Sequence, residues 1–253
     1  MAGRRELAEI FRETQEETRR VARQLPRLRL AIEGSRRCDV LPPPQFAPER
    51  VGRPRIEVRN LDILAVAKAL ADEHPEDGVC IVNPASELKA GGGVKGGASA
   101  LEESLCRRTT LYAHLARHAY PIEGGIYARD VLVLRDAQYA FLAFDQRFWV
   151  DVASVPGVRR PALDRAGRMS AYDAARLRDK IRLILRMCER RHLVLCALGC
   201  GAFRNPPWDV VAAFNDVLDE DEFNSGKFAT LTFAVIDSGA TRNFELFDQH
   251  IKR

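Results

Sequence analysis

RIEVRNLDILAVAKALADEHPEDGVCIVN, residues Arg55 to Asn83, reads as strand, helix, strand. RIEVRN alternates apolar and polar side chains, as a strand with one covered face does. LDILAVAKALADEH carries the apolar repeat of a helix. GVCIVN is a short, continuous apolar run of the kind that fills a sheet centre.

Toward the C-terminus the same alternation continues. VLVLR, FLAFD with RFWVDVASV, HLVLCALG and FATLTFAVID are further strand-like runs. Between them SAYDAARLRDKIRLILRMCERR predicts a long helix with Leu177, Ile181, Ile184, Leu185 and Cys188 on one side. Helices alternating with buried strands predict an α/β layer structure, with helices on both faces of a largely parallel or mixed sheet. Toward the N-terminus, Arg4 to about Arg23 predicts an amphipathic helix with Leu7, Ile10, Phe11, Thr14 and Thr18 near one face. After it, the three prolines of CDVLPPPQF exclude helix and interior strand alike, leaving a linker or an arm over the surface. The expected organisation is therefore an N-terminal helix and Pro-rich arm over 1–54, packed on one structural unit over 55–253. No internal repeat is visible.

With 46% hydrophobic residues in 253, the chain has ample material for a buried core. A net charge of +4, from 39 basic and 35 acidic side chains, suits an anionic substrate without demanding a polyanion. The near balance of charge and an aromatic content of 8% argue against direct nucleic-acid binding. Cys38, Cys80, Cys106, Cys188, Cys196 and Cys200 form no CxxC pair and read as reduced cysteines of a cytosolic protein. No apolar run approaches the ~20 residues of a membrane span. The start MAGRRELAEIFRE is too charged for a secretory signal. A soluble, cytoplasmic protein is expected.

Two loops carry candidate chemistry. GGGVKGGASALEE, Gly91 to Glu103, sets three glycines ahead of two adjacent carboxylates. Such a run suits close approach of the main chain to a ligand. LEESLCRRTTLYAHLARHAY then predicts one helix with Leu101, Leu105, Tyr112 and Leu115 as an apolar stripe, so Glu102 and Glu103 open it. Electrostatic support of the helix N-terminus is the simpler account of both acids. The second loop, GCGAFRNPPWDVVAAF, follows the strand His192 to Leu198 and precedes a helix expected near Asp209. Its glycines can aim N–H groups at phosphate oxygens, or merely serve a tight strand-to-helix turn.

These residues resemble the microbial-type poly(ADP-ribose) glycohydrolases, a catalytic branch of the macrodomain superfamily whose signature is GGG, six to eight residues, then QEE. Here Gly91, Gly92 and Gly93 are followed, after seven residues, by Leu101, Glu102 and Glu103. GVCIVNPAS is similar to the family strand that ends in a ribose-binding asparagine, here Asn83. YPIEGGIYARDVLVLRD is similar to the segment leading into a middle strand. ALGCGAFRNPP resembles the diphosphate loop, and FAVIDSGATRNFELFDQ the closing strand and helix. The likeness runs from about Arg5 to Phe247. Leu101 stands where the family usually has glutamine, and Ala90 where it usually has proline. The resemblance implies a macrodomain-like three-layer α/β/α fold with a central mixed sheet and an N-terminal helical extension.

It also implies a reaction, the hydrolysis of ribose–ribose O-glycosidic bonds to release ADP-ribose. Protonation of the leaving oxygen accompanies oxocarbenium character on the distal ribose, and a deprotonated water then attacks. In this scheme Glu103 is the single general acid/base and Glu102 orients the leaving-side ribose. Gly92 and Gly93 face the phosphates from one side, and Gly199, Cys200, Gly201 and Ala202 from the other. Phe203 packs on ribose or adenine. A two-carboxylate scheme fits less well, because adjacent residues on a helix point roughly 100° apart. Glu103 is expected to be ionised in the free enzyme and protonated in the complex, where the diphosphate's charge and burial oppose the helix dipole.

Two alternatives share the pocket: a non-catalytic ADP-ribose reader, and a hydrolase of another ADP-ribose conjugate. Retention of both acids argues against the reader. The partner is ADP-ribose or poly(ADP-ribose), carried on modified proteins or free, and a monomer is expected. No cofactor is called for. No metal is either, since His114, His118 and His192 lack metal-like spacing and His74 and His250 lie in polar surroundings. Cys200 has no general base near it in sequence to make it a nucleophile.

Overall fold

The structure is a computed structural model that describes residues 3–45, 52–237 and 242–253. Along the chain come α1 (Arg4–Gln24), α2 (Pro26–Glu33), β1 (Arg36–Cys38), β2 (Arg55–Arg59), α3 (Ile63–Glu73), β3 (Val79–Pro84), α4 (Leu101–Arg108) and α5 (Leu111–Leu115). There follow β4 (Gly125–Val133), β5 (Phe148–Val155), α6 (Ala171–Met187), β6 (His192–Leu195), α7 (Pro207–Leu218), β7 (Thr230–Ala234) and α8 (Asn243–His250). Among the described residues the fold is mixed α/β with a seven-stranded sheet. The chain divides into two compact units, Met1–Asp39 with Asn83–Val155 and Val40–Val82 with Pro156–Arg253, and the boundary falls inside β3. Among the described residues no helix is long and apolar enough to cross a membrane.

In the first unit, β4 pairs antiparallel with both β1 and β5. The β4–β5 register shifts between Ala128 and Val131. There Asp130 takes a left-handed φ of 51° and donates its N–H to Asp151 Oδ1 at 3.0 Å. Such a bulge re-aims the strand without ending it. On α1, Leu7, Phe11, Thr14, Thr18 and Val21 are buried, a repeat of four and three residues that makes one stripe. The two threonines fit that stripe because their hydroxyls are used. Thr14 donates to the Arg107 carbonyl at 2.6 Å and Thr18 to the Thr14 carbonyl at 2.7 Å.

The single helix expected over 101–120 is two. Thr109 is extended, bridges to Val133, and accepts the Leu111 N–H on its hydroxyl at 3.1 Å. Thr110 donates its N–H to the Leu132 carbonyl, and its hydroxyl accepts the Leu132 N–H, both at 3.0 Å. β-Branched residues with hydroxyls that compete for backbone groups break the helix where β4 offers better partners. FLAFD is not a strand either. Phe141 makes one bridge to Arg135, and Phe144–Gln146 is a short 3₁₀ turn.

The second unit is parallel: β3 pairs with β6, β6 with β7, and β7 with β2. Asp62 caps α3 by accepting the N–H groups of Leu64 and Ala65 at 3.1 and 3.2 Å. The expected α6 stripe, Leu177, Ile181, Ile184, Leu185 and Cys188, is buried throughout. Parallel strands covered on both faces leave function to the loops at their ends.

Candidate active site

β3 ends in Asn83 and Pro84. Asn83 is wholly buried, and its Nδ2 donates to Ser154 Oγ on β5 at 3.1 Å. Its Oδ1 has no hydrogen-bond partner among the described residues. Beyond it Gly92 adopts φ +54°, and a Cβ there would lie 2.6 Å from Glu103 Oε1 and 2.9 Å from Glu102 Oε2. A side chain at 92 would thus displace both acids. Its neighbours are crowded as well. A Cβ on Gly91 would meet the Tyr112 ring at 2.8 Å, and one on Gly93 would meet Ala98 Cβ at 2.7 Å.

Glu102 and Glu103 lie in the first turn of α4, yet they do more than favour its N-terminus. Ser86 N–H donates to Glu102 Oε2 at 2.7 Å, and Gly93 N–H donates to Glu103 Oε1 at 2.8 Å. Glu102 Oε1 and Glu103 Oε2 are buried with no hydrogen-bond partner among the described residues. Each acid therefore has one oxygen fixed by the main chain and one left to act. Although the two are adjacent on a helix, both converge on Gly92. Burial pushes the pKa of Glu102 up to about 7, opposed by the Ser86 N–H and assisted by the charge of Glu103.

In the second unit, β6 leads into a turn in which Gly199 has φ +76°. The loop is pinned by Asn205, a buried residue whose Nδ2 donates to the Val158 carbonyl at 2.5 Å and to the Gly199 carbonyl at 3.2 Å. Asn205 N–H also donates to the Gly199 carbonyl at 3.0 Å, and Arg160 N–H to the Phe203 carbonyl at 2.9 Å. Gly157 lies against Gly199, where an added Cβ would come within 3.2 Å of its Cα. Cys200 spends its N–H on the Ala197 carbonyl at 3.1 Å. Those of Gly201, Ala202 and Phe203 donate to no backbone carbonyl among the described residues. Gly201 and Ala202 are exposed and Phe203 is half-buried. Burial pushes the Cys200 thiol up, which disfavours the thiolate that a nucleophile needs. α7 starts at Pro207, two residues before the expected Asp209.

A family model described as "Microbial-type PARG, catalytic domain" matches residues 12–136. The poly(ADP-ribose) glycohydrolase of Thermomonospora curvata is similar over 98% of this chain and 100% of its own, with 28% identity and a TM-score of 0.81. The chain belongs to the microbial-type poly(ADP-ribose) glycohydrolases. The same T. curvata enzyme bound to the inhibitor ADP-HPD matches with a TM-score of 0.77 and 27% identity, over 97% of this chain and 99% of that one. Poly(ADP-ribose) glycohydrolase from Deinococcus radiodurans in complex with ADP-ribose matches with a TM-score of 0.71 and 27% identity, over 89% and 97%. A comparison with curated proteins found no match.

Within this poly(ADP-ribose) glycohydrolase frame, Leu101 is the first residue of α4 and only half-buried, preceded by an N-cap Ala100 that makes no side-chain cap. Three contributors were not visible in sequence. Ser86 reaches Glu102 through its N–H, and Asn205 acts from the far end of its loop. Tyr120 has a buried hydroxyl with no partner among the described residues, and its pKa is pushed up by burial and then by the charge of Glu102. For Asn205, its place just before two prolines was the available signal. His74 and Asp77, three residues apart, meet the distant His192, and their ligating atoms all lie within 4.8 Å of one another.

Proposed function

We propose that this poly(ADP-ribose) glycohydrolase works through Glu103 as the single general acid/base, with Glu102 and Asn83 orienting the ribose. The observation that carries this reading is the pair of half-satisfied acids: main-chain N–H groups fix one oxygen of each, and the other is buried and unpartnered. Glu103 protonates the leaving oxygen as the distal ribose becomes oxocarbenium-like. It then deprotonates the water that attacks the same carbon. Gly92 and Gly93 lie toward the phosphates. In the second unit the exposed N–H groups of Gly201 and Ala202, with Gly199 and Phe203, take the diphosphate, and the Phe203 ring packs on ribose or adenine. Cys200 supplies backbone to that loop rather than a free donor. Leu101 in place of glutamine loosens the hold on Glu102 or dries its surroundings.

A second reading comes from Glu102, whose pKa of about 7 suits a proton donor at neutral pH. Incubating wild type, Glu103→Gln and Glu102→Gln with poly(ADP-ribose), while measuring ADP-ribose binding in parallel, separates the two. The proposal expects Glu103→Gln to bind ADP-ribose and release none from the polymer, with a fall in kcat of at least ~10²-fold. An active Glu103→Gln together with a dead Glu102→Gln would transfer the acid role to Glu102. A wild type that binds and releases nothing would be a reader.

The family's macrodomain-like architecture is part of the same reading, with 1–54 as an arm on a catalytic domain over 55–253. Six cysteines outside any disulfide, four of them buried, favour the cytoplasm. A monomer acting on the polymer, free or carried on protein, completes it.

A further inference from the structure

We propose that His74, Asp77 and His192 form a binding site for a transition-metal dication of the zinc class, separate from the glycohydrolase chemistry. All three belong to the second unit, at the N-terminal ends of its parallel strands. His192 opens β6, Asp77 precedes β3, and His74 ends α3 as its C-cap. The phosphate-type loop Gly199–Phe203 follows the other end of β6. The metal site therefore sits at the opposite pole of that strand.

Geometry and chemistry agree on a nitrogen-rich cation site. The three ligating atoms lie within 4.8 Å of one another, and His192 Nε2 is 3.3 Å from Asp77 Oδ2. The two imidazoles stack at 4.2 Å with an interplanar angle of 7°. His192 is buried, and its Nδ1 is 2.8 Å from Thr230 Oγ1. With Nδ1–H donating to that hydroxyl, Nε2 keeps its lone pair for a metal and the ring is held in place, which is the usual outer-shell arrangement of a ligating histidine. His74 and Asp77 are coupled by the Asp77 N–H donating to the His74 carbonyl at 3.2 Å. Their side chains are 31% and 36% exposed. Zinc bonds of about 2.0–2.2 Å need these atoms somewhat closer together, and the two surface ligands are the ones free to move. Two nitrogens and one carboxylate oxygen suit Zn²⁺, Co²⁺ or Ni²⁺ and disfavour Mg²⁺ and Ca²⁺. Water or Glu73, whose Oε1 lies 3.5 Å from His74 Nε2, completes the coordination.

The test uses the full chain without a histidine tag, stripped by chelator and re-equilibrated with Zn²⁺ alone. Bound zinc after gel filtration is measured together with Tm, and Co²⁺ is added separately to read its d–d absorption. The expected result is one zinc per chain, a Tm raised by zinc, and a cobalt spectrum of nitrogen and oxygen ligation. His74→Ala and Asp77→Ala each weaken zinc binding at least ~10-fold, while their Tm in chelator stays at the wild-type value. Because both are partly exposed, they avoid the folding risk of replacing His192. Wild type that retains no zinc and shows no zinc-dependent Tm would mean a histidine–aspartate pair only and would overturn the proposal. Stoichiometric zinc that survives both substitutions would overturn it too.

Discussion

Glu102 ties the candidate active site to stability. Its pKa in the folded chain is about 7 against an ordinary 4.5, so between those values the folded state keeps a proton that the unfolded state releases. Stability therefore falls as pH rises through that window, and below it both states are protonated and nothing is lost. Glu102→Gln keeps an oxygen for the Ser86 N–H and removes the ionisation. It is expected to be more stable than wild type by roughly 3 kcal/mol at pH 8, with the difference gone below about pH 4. Urea unfolding at both pH values checks this, and a pH-independent difference would point to packing instead. Gly92 makes the complementary case. Gly92→Ala places a methyl where both carboxylates now lie, and a displacement of about 1 Å is expected to cost roughly 10²-fold in kcat, with ADP-ribose binding weakened far less. Steady-state release of ADP-ribose and calorimetric binding separate those effects. Both acids were legible in the glycine motif and its family likeness. The N–H groups that hold them were not, because a backbone donor such as Ser86 leaves no mark in side-chain type.

At the scale of elements, α1 supports the loop that holds the acids. Phe11 meets Tyr112 edge to face at 4.9 Å, and the Tyr112 ring fills the place of a side chain on Gly91. Farther along the loop, Gly97 has φ +73° and lies against the Arg4 carbonyl, with no room for a Cβ. Arg107, wholly buried, donates from Nη1 to the Ala98 carbonyl at 2.7 Å, and its own carbonyl accepts from Thr14. The helix and the loop thus share a backbone-level fit. Phe11→Ala is expected to lower stability by about 3 kcal/mol, and to reduce kcat as Tyr112 relaxes away from Gly91. Thermal unfolding and turnover, measured on one preparation, test both parts, and unchanged turnover would confine Phe11 to packing. The face of α1 could be read from its spacing because periodicity is local. The break at Thr109 could not, since the strand residues that compete for its backbone, Leu132 and Val133, lie far along the chain.

At the scale of the whole molecule, chain order and structure do not coincide. The strand–helix–strand reading of 55–83 correctly identified β2, α3 and β3, but sequence pattern carries no record of which distant strands they join. Among the described residues β2 pairs with β7, and β3 pairs on one edge with β6, so both take partners from residues 192 onward. The family match over 12–136 therefore contains β2 and β3 without the strands that complete their hydrogen bonds in the second unit. A fragment ending at Val155 holds all of the first unit, yet leaves residues 40–82 with unpaired strand edges and the uncovered apolar face of α3. Unpaired backbone and bare apolar surface favour aggregation over folding. The fragment 1–155 is expected to show no cooperative urea transition and poor amide dispersion by NMR, whereas the full chain shows both signatures of a folded state. Co-expression with 156–253 is expected to restore them by returning β6 and β7. A fragment 1–155 that unfolds cooperatively alone would show instead that the first unit needs no help and that residues 40–82 are carried by it as a tolerated insertion.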